Sequence, residues 1–487
     1  MTFIEDTMVN ETFKQLNKFF IDGQWVDPVD GGRPHDITNP ATGEKSGVLL
    51  FGDERDAVQA IQAAHAAFPS YSQASLSKRI ELLDRIGDIY ERRLEEMARA
   101  ITLEMGAPLH SLSIPAQAAA GLMHFRVAAA IAREYPFETS AGAARVIKEP
   151  VGVCALIAPW NWPMNQVACK LAPALVTGCT VVLKPSQNAP YSSQLLAEIL
   201  AEAGVPAGVF NMIHGEGSRL GQILASHPLI DMISLTGSTG AGTQVSKAAA
   251  DTIKRVSLEL GGKSANIILD SADLTAAVTH GVLLMMANSG QSCTAPSRML
   301  VPRNKLAAVE TIAKAVCAGI KVGDPLAPDT QMGPIANRRQ YLKVLELIDT
   351  GLKEGGRLVT GGVAMPDTPP NGFYIAPTVF VCPDGKSIIA QEEIFGPVLV
   401  IIPYDDERHA IEMANDSIYG LSGYVFGADT ADAERVARRL RTGMVHLNGA
   451  NVDPAAPFGG YKQSGNGREW GAAGIEEFLE TKSMFLA

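Results

Sequence analysis

The chain reads as an α/β protein built on helix-covered parallel sheets, and three observations predict that class. Its 487 residues, 46 % hydrophobic and 19 % charged, exceed what one hydrophobic core holds and suggest two or three domains. From Val153 onward short β-rich runs alternate with helical stretches, a pattern that implies right-handed crossovers between parallel strands. The alternation restarts over residues 264–445, which suggests a second domain.

In chain order, a helix-rich stretch over residues 54–133 comes first. The small and β-branched residues of YPFETSAGAARVIKEP, 135–150, then suggest a hairpin leaving the body of the domain. The runs VCALIA (153–158), TVVLK (180–184), VFNMI (209–213), MISLT (232–236) and VSLEL (256–260) are predicted strands, short and rich in residues that suit a pleated surface. Pro163 suits a first helical position and Gly178 a left-handed terminator, which bounds a helix over MNQVACKLAPALVT; the next, YSSQLLAEILAEA, stops at Gly204. Open sheets of this kind bind ligands beyond the carboxyl ends of their strands. The Pro/Gly-rich TGGVAMPDTPPNGF, 360–373, reads as a surface loop within the second domain.

Composition excludes several classes. Lys plus Arg total 41 against 52 Asp plus Glu, a net charge of -11, which disfavours nucleic acid and anionic membrane as partners. The apolar runs VGVCALIAPW and GVLLMMA fall short of the roughly 18 residues of a membrane span. The N-terminal MTFIEDTMVNETFKQLNKFF lacks the pattern of a secretory signal, so a cytoplasmic location is expected. Six cysteines, at 154, 169, 179, 293, 317 and 382, form no CxxC pair, as expected in a reducing compartment. The nine histidines are never within five positions of one another, and no metal site is predicted.

Three stretches carry chemistry. Free cysteine is most often a buried filler, but Cys293 stands in ANSGQSCTAP, whose small polar residues leave a thiol accessible for nucleophilic attack. In LELGGKS, Glu259 closes an apolar strand before two glycines. It is either a solvated strand-end carboxylate or, beside the close backbone approach that glycines permit, a general base. In PWNWP, Asn161 sits at a strand-to-helix turn and is either a helix cap or an amide donor to a developing oxyanion.

These three, with VLKPS (182–186), TGSTGAG (236–242), EEIFGPV (392–398) and PFGGYKQSG (457–465), resemble the aldehyde dehydrogenase superfamily, in the family's order and over nearly the whole chain. The resemblance implies a parallel-sheet dinucleotide-binding domain (18–134 and 151–260), a second α/β catalytic domain (261–445) and a small β oligomerisation arm (135–150 and 472–487). It makes Cys293 the nucleophile that forms a thiohemiacetal, whose oxygen the Asn161 amide and the Cys293 N–H would hold. Glu259 would deprotonate the water that hydrolyses the thioester, and its presence favours hydrolysis over transfer to coenzyme A. Lys170 matches a lysine near that water path, although a structural ion pair explains it equally well.

For the cofactor, NAD or NADP, the resemblance points to Gly217 and Gly221 in GEGSRLG and to Gly237 and Ser238 in TGSTGAG. It adds Glu393 and Phe395 at the nicotinamide ribose and ring, Trp160 and Ser186 along the channel, and Lys184 at the adenosine ribose. Gln187 departs from the glutamate of many NAD-preferring relatives. A neutral amide does not repel a 2'-phosphate, and Lys184 would offset its charge, so NADP is expected to be accepted.

Asn165, Gln166 and Cys169 fall where relatives line the substrate tunnel, and their polarity suggests an aldehyde with a remote keto, carboxylate or heteroaromatic end. At finer grain the sequence resembles a bacterial branch with enzymes for oxo-fatty acid aldehydes and for a pyridyl semialdehyde. A homodimer or homotetramer is expected. The competing readings are a thiol hydrolase pairing Cys293 with a histidine, His280 being nearest in sequence, and a non-catalytic protein that kept the fold.

Overall fold

The computed structural model describes residues 16–363 and 368–486. The acidic stretch through residue 15, residues 364–367 of the Pro/Gly-rich loop and residue 487 lie outside the described residues.

The first of two large sheets has eight strands. From edge to edge they are Gly465–Asn466, Arg255–Glu259, Met232–Thr236, Val153–Ile157, Thr180–Lys184, Phe210–Met212, Phe19–Ile21 and Gln24–Val26. The five central strands run parallel, and four of them, Val153–Ile157, Thr180–Lys184, Phe210–Met212 and Met232–Thr236, are buried at every position. This is why they read as continuous apolar runs, since helices cover both faces of such a sheet. The helix Pro163–Thr177 starts on its proline and ends at Gly178, whose φ of 99° is left-handed. All its residues but Asn165 are buried.

The α/β class is confirmed, with one departure: the first sheet is not parallel throughout. Gly465–Asn466 and Phe19–Ile21 pair antiparallel with its two sides. Both come from distant parts of the chain and cover edges whose unpaired N–H and C=O groups would otherwise face outward.

The second sheet has seven strands in the order Arg357–Thr360, Thr378–Val381, Val398–Tyr404, Arg298–Pro302, Ala265–Ile268, Ser422–Phe426 and Met444–Leu447. Only the Arg357–Thr360 pairing is antiparallel. A three-stranded sheet stands apart, in which the hairpin Glu138–Ala141 and Ala144–Pro150 is joined by Leu479–Phe485. Phe485 at its tip is 86 % exposed. Arg255 ties this arm to the first sheet: its guanidinium donates to the carbonyls of Glu477 (2.8 Å) and Leu479 (2.6 Å) and to Glu480 Oε1 (2.7 Å).

One buried carboxylate organises a helix start. Ala189 before the helix Pro190–Glu202 offers no side-chain cap, and Glu104 supplies it from another helix. Its carboxylate accepts from the N–H groups of Tyr191 (2.7 Å) and Ser192 (3.2 Å) and from the Ser192 hydroxyl. Burial pushes the Glu104 carboxyl up to about 8 against the pull of these bonds. Glu104→Ala leaves two buried N–H groups unpaired and is expected to lower the unfolding free energy by about 2 kcal/mol. A urea denaturation midpoint unchanged from that of the parent protein would contradict this.

Candidate active site

The two large sheets face each other with opposite polarity. Asn161 follows the strand Val153–Ile157, Lys184 and Glu259 are the last residues of their strands, and Gly237 follows Met232–Thr236, so all four sit at carboxyl ends of the first sheet. Gly261 to Lys263, Cys293, and Glu393 with Phe395 precede the strands Ala265–Ile268, Arg298–Pro302 and Val398–Tyr404, so they sit at amino ends of the second.

Contacts join the two sets. A Cβ on Gly262 would lie 2.3 Å from the Cys293 carbonyl oxygen, and one on Gly261 2.5 Å from Glu393 Oε2. The Gly262 N–H donates to Glu393 Oε1 at 2.8 Å. The glycine pair therefore does what its sequence suggested and admits two other segments to van der Waals contact with the backbone. Asn288 and Ser289 have φ of 52° and 55°, and Gly290 follows at 71°. This strained turn, of a kind that clusters at functional sites, swings the chain into Cys293.

The Cys293 thiol is half-buried, whereas the five other cysteines are buried. Burial pushes its pKa up, the Glu393 and Glu259 carboxylates add to this, and its own backbone N–H pulls the other way. The Asn161 amide donates to the Gln291 carbonyl at 3.0 Å, leaving its second N–H uncommitted two residues before Cys293. The cap reading of Asn161 is overturned: Trp162 holds the cap position and no side chain bonds there. Its backbone is pinned instead, the carbonyl accepting from Gln117 (3.1 Å) and Asn288 (2.9 Å).

Glu259 is 2 % exposed, and neither carboxylate oxygen has a hydrogen-bond partner among the described residues. It is thus no solvated strand-end charge. Burial raises its pKa well above the ordinary value and the Glu469 charge raises it further, with Lys170 and Arg468 opposing. Lys170 forms a buried ion pair with Glu469. Burial, the largest single cause, pulls the lysine's pKa down, but Glu469, Cys169 and Glu259 together outweigh it and the net shift is upward.

The residues expected around a dinucleotide are placed as follows. Trp160 and Phe395 meet edge to face with ring centroids 5.5 Å apart, Phe395 in the left-handed region at φ 57°. Gly217 opens the helix Gly217–Ser226, in which Gly221 packs beside Ile157. The Gly237 N–H donates to the Glu259 carbonyl at 3.0 Å, and Ser238 caps the helix Thr239–Ala249, accepting from Ala241 N at 3.2 Å. A Cβ at Gly217 or Gly237 would meet no atom closer than 3.8 Å. Ser186 Oγ accepts from Asn188 N at 3.2 Å. Lys184 donates to the Pro185 carbonyl at 2.9 Å, and burial pulls its pKa down to about 8.

This constellation joins a half-buried thiol, an amide donor, an unpaired buried carboxylate and two open glycine turns, and comparison with known proteins agrees with it. A model of the aldehyde dehydrogenase family matches residues 25–484. The chain belongs to the aldehyde dehydrogenase family. It is 56 % identical to a 3-succinoylsemialdehyde-pyridine dehydrogenase of Pseudomonas sp over 97 % of this chain and 98 % of that one. It is 48 % identical, with a TM-score of 0.95 and 97 % of both chains covered, to a mutant of aldehyde dehydrogenase C from Pseudomonas syringae solved with NAD+ and octanal. An aldehyde dehydrogenase from Bartonella henselae matches at 43 % identity and a TM-score of 0.94, over 97 % of this chain and 99 % of that one. As an aldehyde dehydrogenase, the protein is an enzyme that oxidises an aldehyde.

Neither competing reading finds support. His280 packs against Phe426, ring centroids 5.5 Å apart, at the carboxyl end of a strand of the second sheet and thus at the far end from Cys293.

Several residues of this aldehyde dehydrogenase site escaped the sequence. Glu469 is the main one, for besides Lys170 it accepts from the Cys169 thiol at 3.2 Å. Its only signal was a charge beside Trp470 just after PFGGYKQSG. Ser464 fastens that segment to the glycine pair, its hydroxyl donating to the Gly261 carbonyl at 2.6 Å. Gln340 and Lys343 brace the loop of Glu393 and Phe395, donating to its carbonyls at 2.8 to 3.0 Å. The tunnel reading needs revision as well. Cys169 is committed to Glu469, and Asn165 Oδ1 pairs with His124 Nε2 at 2.8 Å, so much of the expected polarity is spent within the protein.

Two substitutions test these placements. Lys170→Met strands Glu469 as a buried charge and is expected to cost about 3–5 kcal/mol of stability, read from guanidinium unfolding. Gly262→Ala forces Cys293 out of place, so alkylation of that thiol by iodoacetamide should change rate by at least about tenfold.

Proposed function

We infer that the enzyme uses a dinucleotide, NAD or NADP, to oxidise an aldehyde to its carboxylic acid through a covalent intermediate on Cys293. The observation that carries this reading is the convergence of three groups: Asn161 bonds to the Gln291 carbonyl next to Cys293, Gly262 packs on the Cys293 carbonyl, and the Glu259 charge acts on the thiol. Cys293 Sγ, once ionised, attacks the aldehyde carbon and forms a C–S bond. The carbonyl oxygen becomes an oxyanion, for which the free N–H of the Asn161 amide and the Cys293 N–H are the available donors. When bound, the dinucleotide supplies the acceptor for the hydride that leaves this carbon. Glu259 then takes a proton from water, the hydroxide adds to the thioester carbon, and the C–S bond breaks to release the acid and the thiolate.

The residues present fit a dinucleotide. The open turns at Gly217 and Gly237 begin helices, whose first N–H groups lack intrahelical partners and favour a pyrophosphate. Glu393 and the Trp160–Phe395 pair would hold the nicotinamide end, and Lys184, Ser186 and Gln187 the adenosine end. NAD is supported by its presence in the complex of the Pseudomonas syringae relative, and NADP acceptance by the neutral Gln187. The Pseudomonas relative named for a pyridine semialdehyde supports an aldehyde carrying a remote polar or heteroaromatic end. A homo-oligomer joined through the three-stranded arm is consistent with the exposed strand Leu479–Phe485.

Cys293→Ala is expected to abolish reduction of NAD with a generic aldehyde. Glu259→Gln should instead retain a single-turnover burst of NADH and lose about 100- to 10,000-fold in steady-state rate. Glu259 must be ionised to act, and its pKa is raised. The steady-state rate should therefore climb with pH through the neutral range in the parent enzyme, and a profile already flat from pH 5 upward would refute the role of Glu259. Gln187→Glu should remove activity with NADP while sparing that with NAD.

A further inference from the structure

Gln187 explains why a 2'-phosphate would be tolerated, but not what would attract it. Lys184 does not supply all of that attraction: its amine is buried and already donates to the Pro185 carbonyl at 2.9 Å. Further positive charge lies in the cleft beside Gln187.

This cleft has a volume of 690 Å³. Gln187 and Asn188, just past the carboxyl end of the strand Thr180–Lys184, line one part of it, and Arg338 and Arg339, opening the helix Arg338–Lys353, line another. Both arginines are exposed, and neither has an ion pair or a hydrogen bond among the described residues. The acidic groups of the cleft are already engaged. Asp36 pairs with Lys45 at 2.7 Å. The Glu104 carboxylate is buried and bonded to Tyr191 and Ser192. The two guanidiniums are therefore the uncompensated charge of the cleft. A phosphate monoester carries about −1.5 to −2 at neutral pH, and planar guanidinium donors match its oxygens.

We propose that Arg338 and Arg339, facing Gln187 across this cleft, are the specificity-determining cations that bind the adenosine 2'-phosphate of NADP. The assignment rests on the cofactor reading above, in which Gln187 lies at the adenosine ribose. It makes NADP recognition a two-part device, in which the neutral amide removes repulsion and the second domain contributes attraction. The arginines add nothing for NAD, which has no group to meet them.

The test is calorimetric binding of adenosine 2',5'-bisphosphate and of 5'-AMP to the intact protein and to the double variant Arg338→Ala/Arg339→Ala. The parent protein should bind the bisphosphate more tightly than 5'-AMP. The double variant should lose about tenfold or more for the bisphosphate and less than about twofold for 5'-AMP. Added NaCl should weaken the bisphosphate more than the monophosphate in the parent only. Arg338→Lys/Arg339→Lys, which keeps the charge, should recover part of the loss, and an unchanged melting temperature in all variants shows that the fold is intact. An unchanged ratio of the two affinities in the alanine variant overturns the arginine assignment and leaves the cofactor reading standing. Failure of 5'-AMP itself to bind the parent protein overturns the cofactor reading, and the assignment with it.

Discussion

The backbone at Gly262 passes so close to the Cys293 carbonyl that a single added carbon would sit 2.3 Å from its oxygen. Much else follows from that approach. It brings the amino ends of the second sheet against the carboxyl ends of the first, and it places Cys293 beside the strand that ends in Glu259. It also leaves the Gly262 N–H aimed at Glu393. Side chains of ordinary size would hold the two sheets apart, and the thiol and the carboxylate would belong to separate surfaces.

Once the sheets are closed on each other, electrostatics in the gap is governed by burial. Three acidic groups, Cys293, Glu259 and Glu393, are all shifted upward, burial being the leading cause for each. Lys170 answers that excess, but it is bound to Glu469, and among the described residues Glu259 has no hydrogen-bond partner of its own. A carboxylate in that position is costly to the fold and, for the same reason, a strong proton acceptor once ionised.

The legible part of this protein was its central strands and the residues that sit in short motifs. Continuous burial of Val153–Ile157 and its neighbours writes itself as apolar runs, and Cys293, Glu259 and Asn161 are each flanked by glycines, prolines or tryptophans that mark special backbone. The chain's long-range closures were not legible. Lys170 and Glu469 are 299 residues apart, and nothing local in either segment announces the pair. The edge strand Gly465–Asn466 is two residues long, too short for any periodicity. Asn161 stayed open between cap and amide donor because both call for the same side chain at the same turn, and its bond to the Gln291 carbonyl, with Trp162 at the cap position, removes only the cap. The cleft lined by Gln187 and Arg338 exists only after folding, since its walls come from distant segments of the chain.

The grip of Arg255 on the arm gives the strand Arg255–Glu259 a double attachment. One end holds the carbonyls of Glu477 and Leu479, and the other carries Glu259. Glu469, whose charge raises the Glu259 pKa, lies only eight residues before the first of those carbonyls. The protruding ribbon and the buried Glu259 carboxylate are thus tied to opposite ends of one five-residue strand.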